Sequence, residues 1–453
     1  MFRASLLFAV FLPNFVFAQT TISLSSQLPV QQPAAPARQS APSSAQQTSL
    51  TSLTSPPSPN PSRVITLDEA INLALTNSPT LKATRTQIQQ NQAQEVTANL
   101  RPNPTIAGDS QFIPFFNPSQ FSQDVEQYDI GLGYTFERGG KRHKRLLAAR
   151  DQTAVTTSQV ADAERTLTFN VAQQFINALL ANSNLAFAQE GLKSFEQTVN
   201  ISEQRYKAGD ISEGDYLKIK LQLLQFQTDV SSARVAKVQA LGSLRQLIGY
   251  AALPRDYDVN GDLIYQPLTA KVEDLEAQAI NQRPDLRAAQ QGIAAAQSQI
   301  NLAKANGKQD VTLTTNYSHT PGLSSISWFI SVPIPIFDRN QGEVARTRFA
   351  LTQAQFTEKA AADTVMTDVI NAYESTETNQ EVVQLYTSGY LKQAEDSRDI
   401  SAYAYKGGAA TLLDFLDAER SYRATQLAYR QALAAYMLSL EQLRQAVGTR
   451  SLP

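Results

Sequence analysis

Residues 67–83 read LDEAINLALTNSPTLKA, and residues 272–288 read VEDLEAQAINQRPDLRA; aligned, they are one pattern written twice. Pro79 returns as Pro284, 205 positions on, and Leu81-Lys82-Ala83 returns as Leu286-Arg287-Ala288. Working outward, Phe136-Glu137-Arg138 is echoed by Phe337-Asp338-Arg339 at an offset of 201. Tyr206-Lys207-Ala208-Gly209 is echoed by Tyr405-Lys406-Gly407-Gly408 at an offset of 199, and 244–249 (LRQLIG) by 443–448 (LRQAVG) at the same offset. Four matches in one order, with offsets drifting only by loop-sized amounts, mean two copies of one structural unit. We place repeat 1 at about 63–250 and repeat 2 at about 268–450.

Each copy has the same internal order. A helix comes first. Thr66 caps Leu67-Asp68-Glu69, with Glu69 closing a capping box, and the helix runs to about Leu100; its counterpart runs from about Val272 to Asn306. Pro79 and Pro284 either kink these helices or separate a short helix from a longer one. Two β segments follow, with apolar residues at every second position. In 129–136 they are Ile130, Leu132, Tyr134 and Phe136; in 311–317 Val311, Leu313 and Tyr317, with Thr315 between; in 326–336 Ile326, Trp328, Ile330, Val332, Ile334 and Ile336. A weaker strand is expected at about 105–113, and polar loops at Asn117 to Glu126 and His319 to Ser325 make the hairpin tips. Two long helices then follow, joined by a tight turn at Gly209 or Gly408. From Leu412 to Val447 there is neither Pro nor Gly, and Tyr429, Leu433, Tyr436, Leu440, Leu443 and Val447 step by four and three, a coiled-coil seam.

The 453 residues carry a formal net charge of −2 and no Cys, which gives no electrostatic reason to expect nucleic acid and excludes disulfides and thiol chemistry. Met1-Phe2-Arg3, the apolar core from Leu6 to Phe17 and a small-residue site ending at Ala18 read as a signal peptide over 1–18. Residues 19–62 are Pro, Ser, Gln, Thr and Ala with almost no charge, and read as a disordered linker. Past the signal no apolar run of about 18 residues occurs, so a membrane-spanning part must be a β-barrel. Four strands cannot close one. The smallest transmembrane barrels have about eight, and an open sheet in lipid leaves roughly ten backbone groups unpaired at several kcal/mol each. If the strands lie in lipid, several chains must share the barrel; the alternative is an ordinary soluble two-hairpin sheet. The fold class is mostly α with transmembrane β.

The matching residues are Thr66-Leu67-Asp68-Glu69-Ala70, the turn from Phe136 to Arg142, the turn from Pro335 to Asn340, and the tips Arg205-Tyr206-Lys207-Ala208-Gly209 and Tyr405-Lys406-Gly407-Gly408. In this duplicated order they resemble the TolC-type outer-membrane efflux proteins over residues 63 to 450, and the two turns look most like its CzcC/CusC metal-efflux branch. The resemblance implies a homotrimer sharing a twelve-stranded barrel in outer-membrane lipid, with a long coiled-coil helical barrel in the periplasm. It implies docking of a periplasmic adaptor and an inner-membrane pump, RND-type or ABC. No lipid-modified N-terminal Cys is present, so attachment rests on the barrel.

By the same resemblance Gly209, Asp210, Ser212, Gly408, Ala409 and Thr411 are the adaptor-docking tips. Asp414 and Asp417, at i and i+3 on one helix face, form the periplasmic gate, with Asp215 the repeat-1 counterpart of Asp414. A plain solvated helix face is the competing reading of this pair. Where many relatives carry a latching Arg near the second tip, this chain has Ala410. The basic run from Lys141 to Arg145 falls where the chain re-enters the periplasm, which suits lipid headgroups or a helix start better than nucleic acid. No catalytic, metal or cofactor residues are expected: His143 and His319 stand in unlike contexts, and no HExxH, GxSxG or P-loop occurs. The competing functions are a type I protein-secretion duct, a soluble periplasmic coiled-coil scaffold or adaptor and, last, an enzyme.

Overall fold

The computed structural model describes residues 62–111 and 127–451. The expected signal peptide, nearly all of the linker and the expected loop at Asn117 to Glu126 lie outside the described residues.

The two repeats are laid out alike. Repeat 1 has α1 (Leu67–Asn77), α2 (Pro79–Ala98), β2 (Thr105–Gln111), β3 (Gln127–Phe136), α3 (Lys141–Ala208) and α4 (Glu213–Ile248), preceded by a short strand β1 (Arg63–Ile65). After β4 (Tyr257–Val259), repeat 2 has α5 (Val272–Gln282), α6 (Pro284–Asn306), β5 (Val311–Thr320), β6 (Leu323–Ser331), α7 (Gln341–Leu385), α8 (Leu391–Lys406) and α9 (Leu412–Val447). Of the two expectations for Pro79 and Pro284, the second holds. Each proline opens a new helix, where its missing N–H would have had no partner anyway.

Thr66 does cap α1, its Oγ1 accepting the Glu69 N–H at 3.4 Å. The capping box is only half made, because the Glu69 carboxylate turns to Arg63 at 2.5 Å instead. The parallel pair β1–β4 escaped sequence reading. Three-residue strands are too short to show period two, and their pairing is fixed by chain segments almost two hundred residues apart. Corresponding positions of the repeats form the two main cores. Leu81, Leu244 and Ile248 are buried in one; Leu286, Leu443 and Val447 are buried in the other. The α9 seam faces inward as its spacing requires, with Leu433, Tyr436, Leu443 and Val447 all buried.

The strands form one antiparallel sheet in the order β2-β3-β5-β6. Its pairings put Ile106, Ile130, Leu132, Tyr317, Ile326, Trp328 and Ile330 on one face, and Thr105, Asp109, Asp129, Thr314, Asn316 and Ser327 on the other. The apolar face is bare: Trp328 is 70 % exposed and Ile330 72 %. Water would penalise such a face by roughly 25 cal/mol per Å², whereas hydrocarbon would not. This counts against the soluble scaffold.

Three expectations need correction. Strand 326–336 stops at Ser331, because Pro333 and Pro335 cannot donate to a ladder and β5, its partner, begins only at Val311. His319 to Ser325 is not a loop; His319 and Thr320 pair with Ser324 and Leu323, leaving only Pro321-Gly322 as the turn. The long helix before the second tip is interrupted by a π-helical turn, Tyr386–Tyr390, where Gly389 takes φ 140°. Its repeat-1 counterpart α3 is continuous for 68 residues.

The basic run opens α3 and serves the fold. Lys141 pairs with Asp310 at 2.7 Å, Arg142 donates to the Asn99 side chain, and Arg145 joins Glu137 and the carbonyls of Ala98 and Leu100. These cations tie the foot of the sheet to the helices. That accounts for three of the five without lipid headgroups.

Candidate functional site

The two helical reversals carry the candidate site. The α3 helix ends at Gly209, whose φ of 83° lets its N–H and that of Asp210 return to carbonyls of the last turn. Ser212 then caps α4, accepting the Asp215 N–H at 3.1 Å and donating to the Asp215 carboxylate at 3.0 Å. In repeat 2, Gly408 takes φ 77°, Ala409 and Ala410 return their N–H groups to the Ala404 carbonyl, and Thr411 forms a full capping box with Asp414.

The three carboxylates expected at the gate are therefore not alike. Asp414 accepts from the Thr411 hydroxyl at 2.7 Å and the Thr411 N–H at 3.2 Å, which hold its carboxyl below the usual carboxylate range. Asp215 accepts from the Ser212 hydroxyl alone and adds Lys218 at 3.3 Å. Asp417 is left largely in solvent, with Arg420 at 3.9 Å.

Each reversal is also clamped by a stacked aromatic pair. Tyr206 stacks on Tyr216 with ring centres 5.1 Å apart, and Tyr405 on Phe415 at 5.4 Å. Sequence reading missed these clamps. The signal was present, since both members recur at the offset of 199 that relates the tips. Arg205 bridges the tips: its Nη1 donates to the Tyr405 carbonyl at 3.1 Å and its guanidinium lies 5.5 Å from the Tyr405 ring centre. Its repeat-2 counterpart is Ala404, so this bridge has no twin.

Between the tips lies a groove of about 600 Å³ lined by Arg205, Asp210, Ser212, Asp215, Gly408 and Thr411, among others. The fold thus gathers five of the nine expected site residues in one place; Gly209, Ala409, Asp414 and Asp417 do not line it. Below it, Phe195, Phe226, Tyr405, Leu412 and Phe415 pack the two hairpins together, and Arg423 pairs with Asp229 while lying over the Phe226 ring. The groove is open and set at the helix reversals, and Ile211, Leu412, Leu413 and Leu416 give it an apolar side beside its polar one.

Comparison with known proteins matches the chain to the model of the outer membrane efflux protein family over residues 70–250 and 275–449. The cation efflux system protein CusC of Escherichia coli is 25 % identical over 373 residues, covering 79 % of this chain and 80 % of CusC. The cobalt-zinc-cadmium resistance protein CzcC of Cupriavidus metallidurans is 21 % identical over 370 residues, covering 81 % and 85 %. A crystal structure of CusC superposes with a TM-score of 0.70 at 21 % identity, over 84 % of this chain and 92 % of the other. Two hairpins with a bare apolar face, two clamped helical reversals and a family match that falls on both repeats make this chain a member of the outer membrane efflux protein family: a channel of the outer membrane, not an enzyme.

Proposed function

We propose that three copies of this channel share one twelve-stranded barrel, and that its helical tips dock a periplasmic adaptor and, through it, an inner-membrane pump of RND or ABC type. The carrying observation is the four-stranded sheet, apolar on one exposed face and, among the described residues, open at both edges. In hydrocarbon those edges must be satisfied by other chains, and three times four strands lies within the range of known barrels. The helices point the same way. On α4, Leu217, Leu221, Leu224, Val235 and Val238 follow heptad spacing yet are at least half exposed, a seam that awaits another helix. The groove at Asp210, Ser212, Asp215, Gly408 and Thr411, with Gly209 and Ala409 shaping its turns, is the adaptor surface. Asp414 and Asp417 line the closed end, a ring of six carboxylates in a trimer.

The test is the mass of the purified protein. In detergent it is that of three chains, and without detergent the protein aggregates. A monomer that stays dissolved in plain buffer overturns the reading.

A further inference from the structure

The pairing rows within one copy, carried round a tilted barrel, dictate where neighbouring copies join. Thr105 pairs with Gly133, Gly133 with Thr314, and Thr314 with Phe329, a straight row across the sheet. Upright strands would set Phe329 opposite Thr105 of the next copy. Barrel strands instead tilt by about 35–45°, and with about 4.8 Å between strands and 3.3 Å per residue, twelve strands accumulate a stagger of roughly 12–17 residues. The threefold share is about four to six residues, and only even values keep the apolar face outward. All of it falls at the seam between β6 and the neighbour's β2. A shift towards the start of β6 would put most of β2 opposite the Pro321-Gly322 turn or beyond it. The shift must run the other way, past Ser331.

The prolines agree. Pro321 followed by Gly322 at φ 85° gives the two-residue turn the type II form, in which the flanking pair Thr320–Leu323 is a hydrogen-bonded one. Hydrogen-bonded pairs alternate along antiparallel strands. Odd-numbered residues of β6 therefore face β5 and even-numbered ones the open edge. Carried through β5 and β3, the alternation leaves even-numbered residues of β2 facing its own open edge. Pro333 and Pro335 are odd, so their missing donors point where β5 has already run out. Val332 and Ile334 keep N–H groups for the seam. Pro104 is even and closes the β2 edge below Ile106. The apolar alternation also continues past the ladder, with Val332, Ile334 and Ile336 exposed, as lipid-facing residues of a seam would be.

We infer that the segment after β6, residues 332–335, is a strand completed only by a second copy of this chain, pairing with the neighbour's β2 so that Ile106 meets Val332 or Ile334. This rests on the shared-barrel reading and adds its register.

The chain has no Cys, so introduced pairs report alone. Odd–odd pairs across this seam are non-hydrogen-bonded, with Cα atoms about 4.5 Å apart, within disulfide reach. Three double variants are made in the full chain in outer membranes and oxidised: Ser331→Cys with Ala107→Cys (stagger of four), Ser331→Cys with Asp109→Cys (stagger of six), and Phe329→Cys with Thr105→Cys (no stagger). Each is also weighed in detergent. Covalent dimers and trimers in one of the first two, and none in the third, are expected. Linkage only in the third, or in none while all three variants have trimer mass, overturns the register and leaves the shared barrel standing. Monomer mass for the unsubstituted chain overturns both.

Discussion

Gly408 sits at φ 77° with open space where a Cβ would stand. A side chain there meets no atom, and the left-handed backbone costs it only about 1–2 kcal/mol, too little to unfold the protein. Gly408→Arg is therefore expected to leave trimers intact while abolishing export, because it places bulk and charge in the proposed docking groove; normal export in a cell-based efflux assay would remove Gly408 from that surface. The Asp pair asks for a milder change. Asn at 414 still accepts from the Thr411 hydroxyl and N–H, so the cap survives while the charge goes. The double variant Asp414→Asn, Asp417→Asn is expected to lower cation conductance in planar bilayers. Carboxylates about 8 Å apart repel by roughly 0.5–2 kcal/mol depending on the local dielectric, a several-fold effect per pair. Unchanged conductance would take the pair out of the gate. The sequence disclosed both reversals at this scale, since Gly recurs where a helix must turn back. It did not disclose that Asp414 is held by its own cap, because a carboxylate three residues after Thr reads equally as cap or as gate.

On α9 the spacing of apolar residues named the buried face correctly, because burial along a long helix is periodic. Leu443, fully buried against α5 and α7, is expected to cost about 2–5 kcal/mol when replaced by Ala, measured as a lower thermal midpoint of helical structure. At the α5–α6 junction, Arg283 is 3 % exposed and donates to Asp285, Asp368 and the Ala446 carbonyl. Burial alone would raise the Asp285 carboxyl, but the Arg283 hydrogen bonds and charge, with Arg165 nearby, outweigh it and hold the carboxyl below its ordinary value. A depressed carboxylate stabilises the fold above its unfolded value of about 3.9 and ceases to as pH falls towards the folded value. Stability is thus expected to decline below about pH 4, and Asp285→Asn to flatten that decline; a wild-type acid profile in the variant would show that Asp285 does not contribute. What escaped the sequence among elements shares one cause. The β1–β4 pair and the Arg205 bridge join residues distant in the chain, while the end of β6 depends on where its partner stops. The π-helical turn at Gly389 was open to notice only as a lone Gly inside a helix.

At the scale of the whole chain, the duplication was the most legible feature, and it survives in the fold as two equivalent cores and two equivalent tips. Equivalent does not mean identical. Repeat 1 runs unbroken through α3 and supplies Arg205; repeat 2 is interrupted at Tyr386–Tyr390 and offers Ala404 in its place. In an assembly of three chains the six half-units would come close to a hexagon, and these differences reduce it to a triangle. Whatever docks at the end of such a duct meets two alternating kinds of corner. A partner ring of six like subunits would then have to engage it in two distinct ways, while a ring of three could engage one kind and ignore the other.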